Sequence, residues 1–154
     1  MASNTLLERP AVSVATDPDI LAAAARLNGE DMCSIADVAR NVERWVDVIV
    51  LRTYAHDTIT EMAANSRVPV INALSDFEHP CQALADFMTL QEHFGNIKGL
   101  NFTYVGDGDN VCHSLMLTGA QLGVNLTVAT PRGYSPDIEI VTDRKSTRLN
   151  SVTA

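Results

Sequence analysis

Seven residues, VDVIVLR at Val46–Arg52, restrict the fold more than any other stretch. Val and Ile are stiff at χ1, which disfavours a helix and suits a pleated sheet. A nearly continuous β-branched run has no polar face to offer water. It therefore reads as a strand of a parallel sheet covered on both faces. Similar runs recur along the chain: AVSVAT at Ala11–Thr16, VPVI at Val68–Ile71, LNFTYV at Leu100–Val105 and VNLTVAT at Val124–Thr130.

Between these runs lie amphipathic stretches. Asp17–Leu27 reads as an alanine-rich helix. Ser34 suits the N-cap of a second, with Ile35, Val38, Val42 and Trp45 on one face. A helix fits Asp57–Asn65. Another fits His79–Phe94, with Pro80 in its first turn and Ala83, Phe87, Leu90 and Phe94 on one side. A last one fits Asn110–Leu122, closed by Gly123. Strand and helix alternate, which predicts an α/β protein with parallel sheets. The seam falls at GNIKG, Gly95–Gly99, between parts of two neighbouring α/β domains. The last twelve residues, DRKSTRLNSVTA, are polar and locally basic, without core periodicity, and predict no continued fold.

The chain has 154 residues, enough for one large domain or two small ones. With aromatics at 5%, Ala, Val, Leu and Ile must do most of the packing. The net charge of −8 argues against a general nucleic-acid or anionic-membrane surface. A small anion remains possible, since a few convergent donors can hold a phosphate inside a negative protein. Cys33, Cys81 and Cys112 are odd in number, far apart and without metal-ligand spacing, which fits idle thiols in a reducing compartment. No apolar run approaches the roughly 20 residues of a membrane span, and the start lacks the regions of a secretory signal. A cytoplasmic protein with neither metal nor organic cofactor is the expectation.

Ligands of open parallel sheets bind beyond the carboxyl ends of the strands. Arg52 ends one predicted strand, Asn72 and then SDFEHPCQ follow the next, and GDGDN at Gly106–Asn110 follows a third. His79 and Gln82 are three apart and share one side of a first helical turn, where N–H groups and the dipole favour negative charge. Together with Arg52 they form a donor set suited to an anion or a polarised carbonyl, with no nucleophile in it. Each part also has a plainer reading. A histidine at a helix start commonly caps it, and an arginine at a strand end is commonly solvated or ion-paired. GDGDN lacks the third glycine of a dinucleotide fingerprint, since Val111 stands after Gly106 and Gly108, so it carries little weight for a nicotinamide cofactor. His113 reads as helix packing, and His56 and His93 have no metal partner.

At HPCQALAD the chain resembles the carbamoyltransferases, in particular their ornithine branch. SIADVARNVERWVDVIVLR, VPVINALSDFEHPCQALADFMTLQEHFG, YVGDGDNVCHSL and LGVNLTVATPRGYSPD look like successive family blocks in family order, over about Leu27 to Val141. The resemblance implies three-layer parallel-sheet domains of the carbamoyltransferase type, both incomplete. Residues 1–94 would be the later part of the carbamoyl-phosphate domain with the connecting helix, 95–142 the start of the amino-acid domain, and 143–154 an atypical polar tail. It implies transfer of a carbamoyl group from carbamoyl phosphate to the side-chain amine of L-ornithine, giving citrulline and phosphate. Arg52 and His79 would polarise the carbamoyl oxygen and Gln82 would hold the carbamoyl amide. Asn110 matches the asparagine that holds the α-amino and carboxylate end of ornithine. The complete enzyme would be a homotrimer.

The ornithine branch is favoured over aspartate because Val111 or Cys112 stands where aspartate enzymes tend to carry an arginine before the His-Ser pair. Asp109 departs from the first Asn common in ornithine enzymes, which leaves putrescine, a modified ornithine or another amine open. The family's phosphate loop, Ser-x-Arg-Thr-Arg, is missing from Met1–Val50, and the Ser-Met-Gly and His-Cys-Leu-Pro blocks are missing downstream. KSTR at Lys145–Arg148 is in the wrong place to replace the loop. The chain thus looks like the middle of a carbamoyltransferase and is expected to be inactive alone. A non-catalytic α/β binding module is the alternative from another class.

Overall fold

A computed structural model describes residues 34–142 and 149–153. The strand expected at 11–16 and the helix expected at 17–27 lie outside the described residues. The order is α1 (Ile35–Val42), β1 (Ile49–Arg52), α2 (His56–Asn65), β2 (Val70–Leu74), α3 (Pro80–Phe94), β3 (Asn101–Val105), α4 (Asn110–Leu122), β4 (Asn125–Thr130), α5 (Ile138–Thr142) and β5 (Leu149–Thr153). The chain divides into two compact units: residues 1–53 with 57–71, and residues 54–56 with 72–154.

In the first unit, Ser34 caps α1 as expected, its hydroxyl accepting the Asp37 N–H at 3.2 Å. The core is Ala39, Ile49, Leu51, Ile59 and Met62, with Ile35, Val38, Val42, Val46, Val68 and Val70 packed around it. Trp45 does not join the α1 face, because the helix ends at Glu43 and the indole stands outside it, 79% exposed. β1 is shorter than the apolar run: Ile49 and Leu51 are buried and Arg52 is exposed. β1 and β2 form a two-stranded sheet. β2 starts two residues later than the sequence suggests, because Pro69 has no N–H for the ladder; its carbonyl accepts the Ile49 N–H at 2.9 Å.

The second unit holds a parallel sheet in the order β3-β4-β5, with Asn101 opposite Asn125 and Leu126 opposite Leu149. β5 corrects the expectation of no continued fold. Residues 149–153 pair along β4 through the backbone, and a strand at the end of a ladder needs no apolar periodicity to do so. α3 and α4 pack on each other through Ala83, Phe87 and Leu115, in a cluster with Ile97 and Val124. Of the Gly95–Gly99 stretch only Ile97 enters this core, and the other four residues are exposed. Gly119 admits the Phe87 ring, since a Cβ there would sit 3.1 Å from its Cζ. Phe94 is 55% exposed instead of buried on the α3 face, one residue before the Gly95 C-cap. A second cluster joins Cys112, Met116, Leu126, Val128 and Ile140. β4 alternates cleanly, burying Leu126, Val128 and Thr130. Among the described residues no helix is long and apolar enough to cross a membrane.

Candidate active site

The segment Ser75–His79 leads from β2 into α3, and its turn is built around one hydroxyl. Ser75 is fully buried. Its Oγ lies 2.8 Å from His56 Nδ1, 3.2 Å from Asn72 Nδ2, 3.1 Å from the Glu78 N–H and 3.2 Å from the Glu78 carbonyl. A hydroxyl has one hydrogen and two lone pairs. Asn72 Nδ2 and the Glu78 N–H donate to the lone pairs, and the one hydrogen faces the Glu78 carbonyl and His56 Nδ1. Buried and fully bonded, Ser75 is an architectural hydroxyl and not a nucleophile. The ring of Phe77 lies between two imidazoles, 5.4 Å from His56 and 5.1 Å from His113.

His79 occupies the N-cap position of α3, yet its side chain makes no capping bond. Its Nδ1 is buried without a hydrogen-bond partner among the described residues, as is Asn72 Oδ1. The plain reading of His79 as a cap therefore fails. A buried ring nitrogen without a partner costs free energy, which a ligand or a bound water can recover. With Pro80 at the first helical position and no capping side chain, the first-turn dipole is available to an anion.

Gln82 is exposed in the same turn, and its Nε2 donates to Asp86 Oδ1 at 2.9 Å. The carboxylate can only accept, so the nitrogen faces it and Gln82 Oε1 is left as a free acceptor. That suits a ligand amide. Cys81 is exposed beside it and donates to the Asn72 carbonyl at 3.4 Å.

Asn110 begins α4 and donates from Nδ2 to the Ser75 carbonyl at 2.7 Å. Asp109 caps this helix, its Oδ1 accepting the N–H groups of Val111 and Cys112 at 3.1 and 3.2 Å. Asp and Asn are equally good N-caps, so the Asp109 departure leaves the helix start intact. Its charge is felt nearby. Burial, then Asp109 and Asp107, push the Cys112 thiol up to about 12. Burial, then Asp109, raise the Tyr104 phenol to about 12, and its hydroxyl donates to the Asp107 carbonyl at 3.0 Å.

His113 is buried as expected, but it is more than packing. Its Nε2 accepts the Asp137 N–H at 3.0 Å, which requires the proton on Nδ1, and Nδ1 donates to the Phe77 carbonyl at 2.8 Å. Ser114 Oγ accepts the His79 N–H at 2.8 Å. Sequence reasoning missed Ser114, Ser75 and the role of His56. For Ser114 the available signal was the spacing of 110, 113 and 114 on one helix face.

The structure thus brings His79 and Asn110 into one hydrogen-bonded neighbourhood of the second unit, with Gln82 in the first turn of α3 bonded to Asp86 instead. Arg52 belongs to the first unit, where it ends β1 with its side chain exposed. Among the described residues no cluster of three or more His, Cys, Asp or Glu could hold a metal ion.

Two family profiles match the chain. That of the aspartate/ornithine carbamoyltransferase carbamoyl-P binding domain covers residues 13–92, and that of the Asp/Orn binding domain covers 98–152. The ornithine carbamoyltransferase of Pyrococcus horikoshii is 53% identical over 120 residues, which are 75% of this chain and 38% of that protein. The anabolic ornithine carbamoyltransferase of Pyrococcus furiosus is 52% identical over the same shares. Among solved structures, ornithine carbamoyltransferase from Pyrococcus furiosus superposes with a TM-score of 0.74 at 45% identity, over 80% of this chain and 42% of that one. The Thermus thermophilus enzyme gives 0.71 at 46% identity over the same shares. The chain spans about two fifths of the length of these relatives. It belongs to the aspartate/ornithine carbamoyltransferase family, with an α/β fold that is incomplete relative to theirs.

Proposed function

We propose that this chain is part of an ornithine carbamoyltransferase, transferring the carbamoyl group of carbamoyl phosphate to the side-chain amine of L-ornithine. The observation that carries the reading is His79, held at a helix N-terminus with a buried and unpartnered Nδ1. A solvated or capping histidine has no use for that arrangement. A residue that must bond a ligand oxygen does.

In the reaction the amine nitrogen attacks the carbamoyl carbon, negative charge gathers on the carbamoyl oxygen, and phosphate departs as the C–O bond breaks. The new ammonium then loses a proton. Arg52 and His79 stabilise the oxygen as it becomes charged, which lowers the barrier more than it lowers the ground state. Gln82 Oε1, freed by the Asp86 bond, accepts from the carbamoyl NH2 and fixes the plane of attack. Asn110 holds the amino-acid end of ornithine. Asp107 and Asp109 are both exposed at the start of α4, and this negative loop favours a cationic amino acid over a dicarboxylate such as aspartate.

On this reading residues 1–94 and 95–142 contribute to the carbamoyl-phosphate and ornithine domains, and the complete enzyme is a cytoplasmic homotrimer serving arginine synthesis. The 154-residue chain alone should release no citrulline, because the Ser-x-Arg-Thr-Arg loop is absent from its sequence. The test is a chimera in which residues 27–141 replace the matching stretch of the Pyrococcus furiosus enzyme. Citrulline is expected from ornithine, without N-carbamoylaspartate from aspartate or N-carbamoylputrescine from putrescine, and His79→Ala should lower kcat by about 100-fold or more. A folded chimera that makes no citrulline, or one indifferent to His79→Ala, refutes the proposal.

A further inference from the structure

Three residues on one face of α4 bond the Ser75–His79 segment at every second position. Asn110 Nδ2 donates to the Ser75 carbonyl at 2.7 Å, His113 Nδ1 donates to the Phe77 carbonyl at 2.8 Å, and Ser114 Oγ accepts the His79 N–H at 2.8 Å. Positions i, i+3 and i+4 of a helix line one face, and the turn closed by the Ser75 N–H to Glu78 carbonyl bond of 2.9 Å presents residues 75, 77 and 79 to it. Three bonds from one helix face to one turn lock the two in a single register. The polarity reverses at the last rung, where the helix side chain accepts instead of donating. A slip of the segment would set acceptor against acceptor or leave His79 N–H unbonded. The segment is matched by the carbamoyl-P binding profile and α4 by the Asp/Orn binding profile, so the contact joins the two substrate-binding halves of the family fold.

We propose that Ser114 and His113 are positioning residues: they hold His79 in place from the helix that also carries Asn110, so that the carbamoyl corner is aligned by the ornithine-binding element. The inference rests on the reading of His79 given above. Neither residue needs to touch substrate. His113 is fixed in turn by the Asp137 N–H on its far nitrogen, which keeps its Nδ1 a donor.

The test has two arms. In the 154-residue chain, amide hydrogen exchange and the 15N shifts of the His79 ring are compared for the parent chain, Ser114→Ala, Ser114→Thr and His113→Asn. Asn keeps a donor near the position of Nδ1. Ser114→Ala should speed exchange at His79 about tenfold or more and move its ring shifts, with Val128 in β4 unchanged within about twofold. Ser114→Thr and His113→Asn should leave the ring shifts close to those of the parent. In the chimera, Ser114→Ala should lower kcat about tenfold or more while the KM for ornithine stays within about twofold. The positioning role is overturned if Ser114→Ala leaves His79 unchanged, or if it speeds exchange equally at His79 and Val128. A parent chimera without activity would sink the functional reading, while the exchange arm would still decide the positioning role.

Discussion

Gly108→Ala puts a methyl group where there is no room for one. A Cβ at Gly108 would lie 2.2 Å from the Pro136 nitrogen, 2.5 Å from the Ser135 carbonyl carbon and 2.7 Å from Pro136 Cα. All three are backbone atoms, so no side chain can rotate away. The loop that delivers Asp109 and Asn110 must separate from residues 134–136, and the Gly108 N–H to Tyr134 carbonyl bond of 2.9 Å goes with it. Overpacking of this kind costs about 1–3 kcal/mol and a lost hydrogen bond about 1 kcal/mol. The sum is about 2–4 kcal/mol, or a fall in Tm of about 4–16 °C for a chain of this size. Gly95→Ala is the internal control. Gly95 has nothing within 4 Å of where the methyl group would stand, so only backbone strain applies; with φ +76° and ψ −99° it lies outside the left-handed helical well, and that strain is about 1–3 kcal/mol. Urea unfolding followed by far-ultraviolet circular dichroism would compare the two at constant m. If Gly108→Ala costs less than about 1 kcal/mol, the close approach of the two loops is wrong.

Asp109→Ala should destabilise the second unit by about 1 kcal/mol through loss of the α4 cap, while Asp109→Asn stays within about 0.5 kcal/mol in urea titrations. Removing the carboxylate should also lower the Tyr104 pKa from its raised value, read by ultraviolet titration of the phenolate. Alkali should destabilise the fold. Cys112 and Tyr104 are both raised to about 12 from 9.0 and 10.0, so the unfolded chain ionises first. Their contribution is complete below pH 9 and is lost progressively up to pH 12. Denaturation midpoints measured across that window would fall less for a Cys112→Ala variant. A disulfide reagent at pH 8 should modify exposed Cys81 readily and leave buried Cys112 intact until the chain unfolds, as mass spectrometry would show. Phe87→Ala, which empties the space between Gly119 and Phe102, should cost about 3–5 kcal/mol by the same unfolding assay.

Much of the fold was legible because local rules and burial agreed. Ser34, Pro80 and Gly123 mark helix ends by conformational preferences that need no tertiary partner. β4 could be read from VNLTVAT because its alternation matches its burial. Three features escaped for reasons that lie beyond local sequence. Trp45 falls on the right helical spacing, but the helix stops short of it. β5 is held by its neighbour's backbone, so its side chains gave no sign of it. The partners of Ser75–His79 lie 35 or 36 residues away on α4, and spacing along the chain cannot show a contact of that kind. The candidate residues Arg52, His79, Gln82 and Asn110 follow from strand ends and family blocks. What the sequence could not tell was that His79 makes no cap, which separates a ligand-binding reading from a structural one.

Trp45, the chain's single tryptophan, has an optical consequence. Its indole is solvated in the folded first unit, so its emission is already close to that of the free fluorophore and should shift little on denaturation. It also stands in the unit that lacks His79 and Asn110. Intrinsic fluorescence would thus be nearly blind to melting of the half that carries His79 and Asn110. A tryptophan introduced at Phe102, half-buried against the Phe87 ring, would place the reporter in that half.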